Sequence, residues 1–166
     1  MSSSLFQTTG WAAHLEAPAP CFGLHSDFED QRAYPRIHGD FPVAFRNSQG
    51  QHCAATLRNL SPEGLQILCN MATAQIIYPP GGRLMEDDHP LLQATMVLPL
   101  AEGHQTLSAC VRLLHVARVA PASCLMGFQF LELRPKARRQ IDAFYAEQLR
   151  HLAGPSFRYV SPLARA

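Results

Sequence analysis

The order of hydrophobic and polar residues along the chain predicts a protein built mainly from short strands. From residue 41 onward, segments in which apolar and polar side chains partly alternate are separated by turn residues, as in half-buried antiparallel strands. The first two segments flank a turn and predict a hairpin. The predicted strands cover residues 41–45, 52–58, 65–69, 91–100, 106–119 and 125–133. About six antiparallel strands are sufficient to close a barrel and remove its open edges.

One helix is predicted near the C-terminal end. Pro135 suits the first turn of a helix, the apolar residues after it follow helical spacing, and Gly154 with Pro155 ends the segment. The apolar face of this helix is expected to cover the barrel. Residues 70–90 contain prolines, glycines and acidic residues, so they are predicted to form a long loop with at most one short strand, at Ile76–Tyr78.

Chain length predicts one domain with an extension at each end. A chain of 166 residues with 47% hydrophobic residues can form a single core. Residues 1–30 show no steady periodicity but contain the only tryptophan, so we interpret them as an N-terminal extension that is either disordered or docked on the barrel or a partner. Residues 31–153 are predicted to form the domain, and residues 154–166 a C-terminal tail.

Composition and charge exclude several classes of protein. A formal net charge of +1 with 16% charged residues gives no overall field that would attract a nucleic acid polymer, so any anion site must be local. Five cysteines are an odd number without a Cys-x-x-Cys pair, which indicates reduced thiols. The N-terminus has no signal peptide and no apolar run that could span a membrane, so we expect a cytoplasmic protein.

The residues that carry most enzyme chemistry do not form a recognisable constellation. Eight histidines are present, but none has the i, i+4 partner of a zinc-binding helix, and no serine or cysteine lies in a nucleophile turn. Cys110 and His115 are five residues apart, so a regular strand would place them on opposite faces. We therefore expect no catalytic residues and no metal site.

Two arginines, Arg32 and Arg36, lie on a segment that is predicted to be extended. Pro35 lacks a backbone N–H and favours extended geometry for the residue before it, Tyr34. In an extended segment the side chains at i and i+4 share a face. Two guanidinium groups on one face can bind phosphate oxygens or the O6/N7 edge of guanine, and can stack on base planes.

A second polar motif follows at the end of a predicted strand. The segment Ser61–Gly64 has a side-chain acceptor first, proline second and glycine last, which is typical of a type I turn. Asn59 and Ser61 can hydrogen-bond to a base edge or a sugar, and Gly64 lets a ligand approach the backbone. The segment is therefore predicted to be a turn of the fold and also part of a binding site.

The pattern Arg32-x-x-x-Arg36 followed by Asn59-x-Ser61-x-x-Gly64 resembles the signature of the PilZ domain, a bacterial receptor module for cyclic di-GMP. Either motif alone arises often by chance, whereas both in this order with strands between them are fairly specific. Residues 127–133 and the predicted helix after them are similar to the last strand and C-terminal helix of that family. Asn59 stands where many members carry aspartate, and asparagine is a common alternative.

The resemblance implies a mainly β fold, a six-stranded antiparallel PilZ-type barrel with a C-terminal helix, and no enzymatic activity or cofactor. It implies that Arg32 and Arg36 bind the phosphates and guanines of cyclic di-GMP. By the same resemblance, Asn59 and Ser61 contact a guanine or the ribose-phosphate ring and Gly64 leaves room. Members of the family bind one ligand or a stacked pair, and the sequence leaves this number open.

The resemblance also suggests how a signal could be passed on. Because the arginines precede the barrel, we expect ligand binding to fold their linker against the barrel wall and to alter the surface that an unidentified downstream protein contacts. The alternative is a PilZ-like protein-interaction module that regulates pilus or flagellar machinery without nucleotide. A barrel that binds single-stranded nucleic acid is a weaker alternative, since it would require a basic groove with exposed aromatic residues.

Overall fold

The computed structural model describes residues 34–80 and 89–153, so the predicted N-terminal extension and C-terminal tail lie outside the described residues. The elements in chain order are β1 (Ile37–His38), β2 (Pro42–Arg46), β3 (His52–Ser61), β4 (Gly64–Asn70), α1 (Met71–Ile77), β5 (Leu91–Leu100), β6 (Gly103–Ala120), β7 (Ser123–Phe130) and α2 (Pro135–Ala153).

Six of these strands close into a ring. All pairings are antiparallel, and the order β3-β2-β5-β6-β7-β4 returns to β3 through a direct pairing of β3 with β4. The two-residue strand β1 pairs with the end of β3, beyond the stretch that pairs with β2. The prediction of a mainly β protein with a six-stranded antiparallel barrel and a C-terminal helix is therefore confirmed.

The core lies inside this ring and is formed by alternate residues of the strands. Phe45 of β2 and Phe128 of β7 stack there with ring centroids 5.1 Å apart and an interplanar angle of 26°. Burial of an aliphatic or aromatic side chain contributes about 1.5–3 kcal/mol, so this interior is the main source of stability. The fully buried members of the core include Val43, Leu57, Leu65, Ile67, Met96, Leu98, Leu107, Val111, Leu113 and Met126.

Helix α2 covers the barrel with its apolar face, as predicted. Ile141 and Phe144 join the main core, and Phe144 meets Phe41 edge-to-face with ring centroids 6.1 Å apart. Tyr145 and Leu149, on the neighbouring side of the helix, form a second buried cluster. The helix therefore contacts the barrel and also the chain segment that enters it.

Helix α1 corrects the expectation for residues 70–90. Ile76 and Ile77 are helical residues and do not form the short strand that was predicted. The side chain of Asn70 accepts the backbone N–H of Thr73 at 2.8 Å and so caps the first turn. Thr73, Ala74 and Ile77 are buried at helical spacing, which gives this short helix an apolar face. Residues 81–88, the rest of the predicted loop, lie outside the described residues.

The cysteines that the structure describes are all unpaired thiols. Cys69 and Cys124 are buried, whereas Cys53 and Cys110 are half-buried. Loss of solvation, followed by the neighbouring Cys124 and Cys53, raises the pKa of Cys69 to about 11. Across residues 34–80 and 89–153, no helix is long and apolar enough to cross a membrane.

Candidate functional site

Arg36 lies where the chain enters the barrel, in a segment that helix α2 anchors. Arg36 immediately precedes β1, whose Ile37 is fully buried with Tyr145 and Leu149 of the helix. The Tyr145 hydroxyl donates a hydrogen bond to the backbone carbonyl of Pro35. The part of the Arg32-x-x-x-Arg36 motif from Tyr34 to Arg36 is therefore held against the helix. Arg32 lies outside the described residues.

Burial keeps the hydroxyl of Tyr145 protonated, so that it can act as a hydrogen-bond donor. Loss of solvation raises the pKa of its hydroxyl far above the ordinary value, and the neighbouring Tyr34 and Glu63 raise it further. A tyrosine that stays protonated continues to donate to a carbonyl oxygen. The anchor at Pro35 is therefore maintained over the whole physiological pH range.

Asn59 faces the outer wall of the barrel because of a bulge in β3. Leu57 pairs with Ile67, but Asn59 pairs with Gln66, so Arg58 is an extra residue between two regular stretches of the ladder. In an unbroken strand Asn59 would lie on the same face as the buried Leu57. The bulge turns Asn59 outward, where it is nevertheless only 5% exposed.

A row of polar side chains crosses this outer wall. The Arg36 guanidinium donates to Asn59 Oδ1 at 3.0 Å, and Asn59 Nδ2 donates to Gln66 Oε1 at 2.7 Å. Gln66 Nε2 lies 3.2 Å from His115 Nε2. A guanidinium has five N–H donors, and the bond to Asn59 uses one of them. The structure thus joins Arg36 and Asn59, two of the sequence-predicted site residues, and extends the site to Gln66 and His115.

The ring of His115 lies directly over Gly127. Leu113 pairs with Phe128, but His115 pairs with Gly127, so Leu114 is an extra residue in β6 and a second bulge turns His115 outward. A Cβ atom on Gly127 would lie 2.0 Å from the His115 ring, so only glycine leaves room for it.

This second bulge also corrects the expected placement of Cys110 relative to His115. Cys110 lies between the inward-facing Ala109 and Val111, so it faces outward. Because the bulge turns His115 outward as well, the two side chains share the outer face and are not on opposite faces.

Ser61 and Gly64 close the hairpin between β3 and β4. They pair with each other, and the Ser61 hydroxyl, only 6% exposed, donates to the Gly64 carbonyl at 3.4 Å. A Cβ atom on Gly64 would lie 2.1 Å from the backbone oxygen of Phe128 in β7. The glycine is therefore required by the close approach of β7, which is a reason that the sequence did not reveal.

The start of α2 carries a basic cluster, Arg134, Lys136, Arg138 and Arg139, which contacts the same turn through Arg138. Arg138 donates to the backbone carbonyl of Pro62 at 3.0 Å and is half-buried. Its backbone N–H also donates to the carbonyl of Arg134, which directly precedes the helix. At least one arginine of this cluster thus has a structural contact with the turn that carries Ser61.

Gln66 and His115 were absent from the sequence-based site. Gln66 could have been found, because a two-residue turn between Ser61 and Gly64 places Asn59 opposite Gln66. His115 could not, since its position depends on the bulge at Leu114 and on pairings between distant strands. No cluster of metal-ligating side chains occurs among the residues that the structure describes.

Comparisons with known proteins agree with this architecture. The PilZ domain matches residues 30–147, well over half of the 166 residues. The PilZ domain of YcgR from Escherichia coli, solved with c-di-GMP, is similar with a TM-score of 0.52 and 14% identity, over 74% of this chain and 94% of that chain.

Two longer proteins share the fold over part of their length. The inhibitor of motility MotI/DgrA from Bacillus subtilis matches with a TM-score of 0.54 and 13% identity, and apo MrkH from K. pneumonia with 0.50 and 20%. The matches cover 74% and 75% of this chain but only 52% and 53% of those chains, so this chain spans about half of each. No sequence among curated proteins matches significantly.

Proposed function

The chain belongs to the PilZ domain family, and from this premise we propose that it is a receptor for cyclic di-GMP that signals to a protein partner. The observation that carries the proposal is the hydrogen bond of 3.0 Å between Arg36 and Asn59. It brings the two motifs of the signature together on the outer wall of the barrel, although they are 23 residues apart in the chain. A site formed by both motifs is what a ligand with two phosphates and two guanines requires.

Different side chains are proposed to recognise the phosphates, the guanines and the ribose-phosphate ring of such a ligand. The Arg36 guanidinium can neutralise a phosphate or bind the O6/N7 edge of guanine, and Arg32 is proposed to act with it. Asn59, which accepts a hydrogen bond from Arg36, and Ser61, two residues further along β3, are proposed to contact a guanine or the ribose-phosphate ring. Gly64 keeps the turn free of a side chain. The chain is proposed to act in the cytoplasm, without catalysis.

The proposed signal is a rearrangement of the entering segment. Arg36 bonds to Asn59, while Tyr145 of α2 packs against Ile37 and donates a hydrogen bond to the carbonyl of Pro35. When phosphate oxygens become available, Arg36 exchanges or shares its bond to Asn59. Because Ile37 packs against Tyr145 and Leu149, this movement is proposed to be transmitted to α2. The new arrangement of the entering segment and the helix is proposed to be the surface that the partner recognises.

The test is calorimetric titration of cyclic di-GMP into the wild type, Arg36→Ala, Arg32→Ala and the control Arg46→Ala. Arg46 is an exposed arginine at the end of β2, outside both motifs. We expect binding by the wild type and the control, a loss of at least tenfold in affinity in each motif variant, and no binding of GMP. The heat signal also gives the number of ligands per chain.

A folded, nucleotide-free wild type that shows no binding would refute the receptor and favour a protein-interaction module that works without nucleotide. Equal losses in Arg46→Ala and Arg36→Ala would indicate general charge attraction and would remove the special role of the motif. Unfolding curves of the same variants separate a lost contact from a lost fold.

A further inference from the structure

Arg36, Asn59, Gln66 and His115 form a polar row on the barrel wall, joined by successive close contacts. Arg36 determines which atom of each contact donates and which accepts. A guanidinium can only donate hydrogen bonds, so the atom of Asn59 that faces Arg36 must be its oxygen. The amide nitrogen of Asn59 therefore faces Gln66, and this nitrogen can only donate. The atom of Gln66 that receives this bond must in turn be its oxygen. The orientation of both amides thus follows from the chemistry of arginine.

The same reasoning reaches the histidine at the end of the row. Since the oxygen of Gln66 faces Asn59, its amide nitrogen faces His115, where Gln66 Nε2 lies 3.2 Å from the ring Nε2. Two N–H groups cannot bond to each other, so Nε2 of His115 must carry no proton and must accept. A neutral imidazole with a bare Nε2 holds its proton on Nδ1.

We propose that Gln66 and His115 are positioning residues that hold the Asn59 amide with its oxygen toward Arg36, and that this relay keeps His115 as the neutral Nδ1–H tautomer. Asparagine needs such a relay because its two ends differ chemically. Without a partner for Nδ2, the amide of Asn59 could turn and present N–H groups to a cation. The bond of Asn59 to Gln66 prevents this rotation.

The packing around the row supports a positioning role. Asn59 is only 5% exposed, so its nitrogen cannot readily exchange Gln66 for bulk water. His115 is held over Gly127, which lies opposite both His115 and Gln66 in the strand ladder. The ring lies over a strand position that has no side chain, with its Nε2 at 3.2 Å from Nε2 of Gln66.

The first arm of the test needs no ligand. Long-range proton–nitrogen NMR spectra of the full chain at neutral pH report which ring nitrogen is protonated, and His115→Gln assigns the signal. We expect a protonated Nδ1 and a bare Nε2 in the wild type. A proton on Nε2, an average of the two tautomers, or a doubly protonated ring would each overturn the inference.

Two variants should move the proton, and a third should not. In Asn59→Asp both carboxylate oxygens accept, so Gln66 must turn its nitrogen toward Asp and its oxygen toward His115, which then donates from Nε2. In Gln66→Glu the carboxylate likewise requires a donor at Nε2. The control Gln93→Glu adds the same charge at an exposed position of β5 and should leave the ring unchanged. An unchanged tautomer in Asn59→Asp would overturn the relay.

The second arm rests on the proposed function. Gln66→Leu should weaken cyclic di-GMP binding by about three- to tenfold, the value of one hydrogen bond. In an Asn59→Asp background, Gln66→Leu should reduce the affinity for cyclic di-GMP by less than about twofold. The two oxygens of a carboxylate are equivalent, so no neighbour has to orient the group toward Arg36. Equal losses in both backgrounds would refute positioning. Absence of binding by the wild type would refute the proposed receptor function. The tautomer of His115, measured in the first arm, would still test the relay.

Discussion

Replacement of Gly64 by alanine tests whether the stability of the fold itself requires a glycine at this position, independently of ligand binding. The added Cβ would lie 2.1 Å from the carbonyl oxygen of Phe128 and 3.1 Å from its carbonyl carbon. Both are backbone atoms of β7, so no side chain can rotate away to relieve the contact. We therefore expect Gly64→Ala to destabilise the free protein, independently of any ligand.

The size of the effect follows from the displacement that the contact requires. Real Cβ atoms stay about 3.0 Å or more from their neighbours, so β7 must retreat by nearly 1 Å. The adjacent hydrogen bond from Phe130 N–H to the Glu63 carbonyl, 2.9 Å long, would then be lost or weakened. One or two lost hydrogen bonds at about 1 kcal/mol each, with an overpacking cost of about 1–3 kcal/mol, give a loss of about 3 kcal/mol.

Urea unfolding of the ligand-free protein measures this loss, and Gly50→Ala is the matched control. Gly50 has a φ of 79° with nothing within 4 Å of an added Cβ, so alanine there should cost only about 1–2 kcal/mol of backbone strain. We expect Gly64→Ala to be clearly the less stable variant. If Gly64→Ala unfolds like the wild type and loses only ligand affinity, the close approach of β7 is not what requires the glycine.

Three further changes test the hydrogen bond of Tyr145 to Pro35, the packing of the His115 ring over Gly127, and the buried thiol of Cys69. Tyr145→Phe removes the donor to the Pro35 carbonyl and should lower the free energy of unfolding by about 1 kcal/mol, with faster amide exchange in β1; unchanged exchange would argue against the anchor. Gly127→Ala should lower the free energy of unfolding in urea by about 1 kcal/mol, and by clearly less in a His115→Ala background, because the three atoms nearest to the added Cβ all belong to the histidine ring; equal losses in both backgrounds would contradict this. The pKa of Cys69 is raised to about 11 in the fold, so its contribution to stability is complete below pH 9 and is lost toward pH 11. The melting temperature should therefore fall more steeply over this range than in Cys69→Ala, and parallel curves would count against the buried thiol.

The barrel and helix α2 could be predicted because their signals are local. Alternation identifies strands, and Pro135 with helical spacing after it identifies the helix. Helix α1 was missed because Ile76 and Ile77 are β-branched and favour a strand by composition alone. A seven-residue helix depends on burial against neighbouring strands, here β3 and β4, more than on its own propensity or on its cap at Asn70.

The candidate site was predictable only as far as its motifs and the hairpin turn. The predicted turn joins Asn59 and Ser61 of β3 to Gly64 of β4, since a two-residue turn fixes their relation, while their role in binding stays a prediction. The face on which Asn59 lies was not predictable, because one extra residue in a strand reverses the face of every residue after it. Whether Arg58 is such a residue depends on pairing with β4, which the local sequence does not specify.

The two bulges explain how a closed barrel can carry a polar site on its wall without polar residues in its core. In regular strands Asn59 and His115 would both face inward, where an unpaired amide or imidazole costs several kilocalories per mole. Each bulge reverses the face at one point, so Leu60 returns to the core while Asn59 remains outside. The same geometry aligns Asn59, Gln66, Gly127 and His115 across β3, β4, β7 and β6. The register that closes the barrel is thus also the register that brings these polar side chains together, and Gly127, opposite both Gln66 and His115, leaves room for the histidine ring.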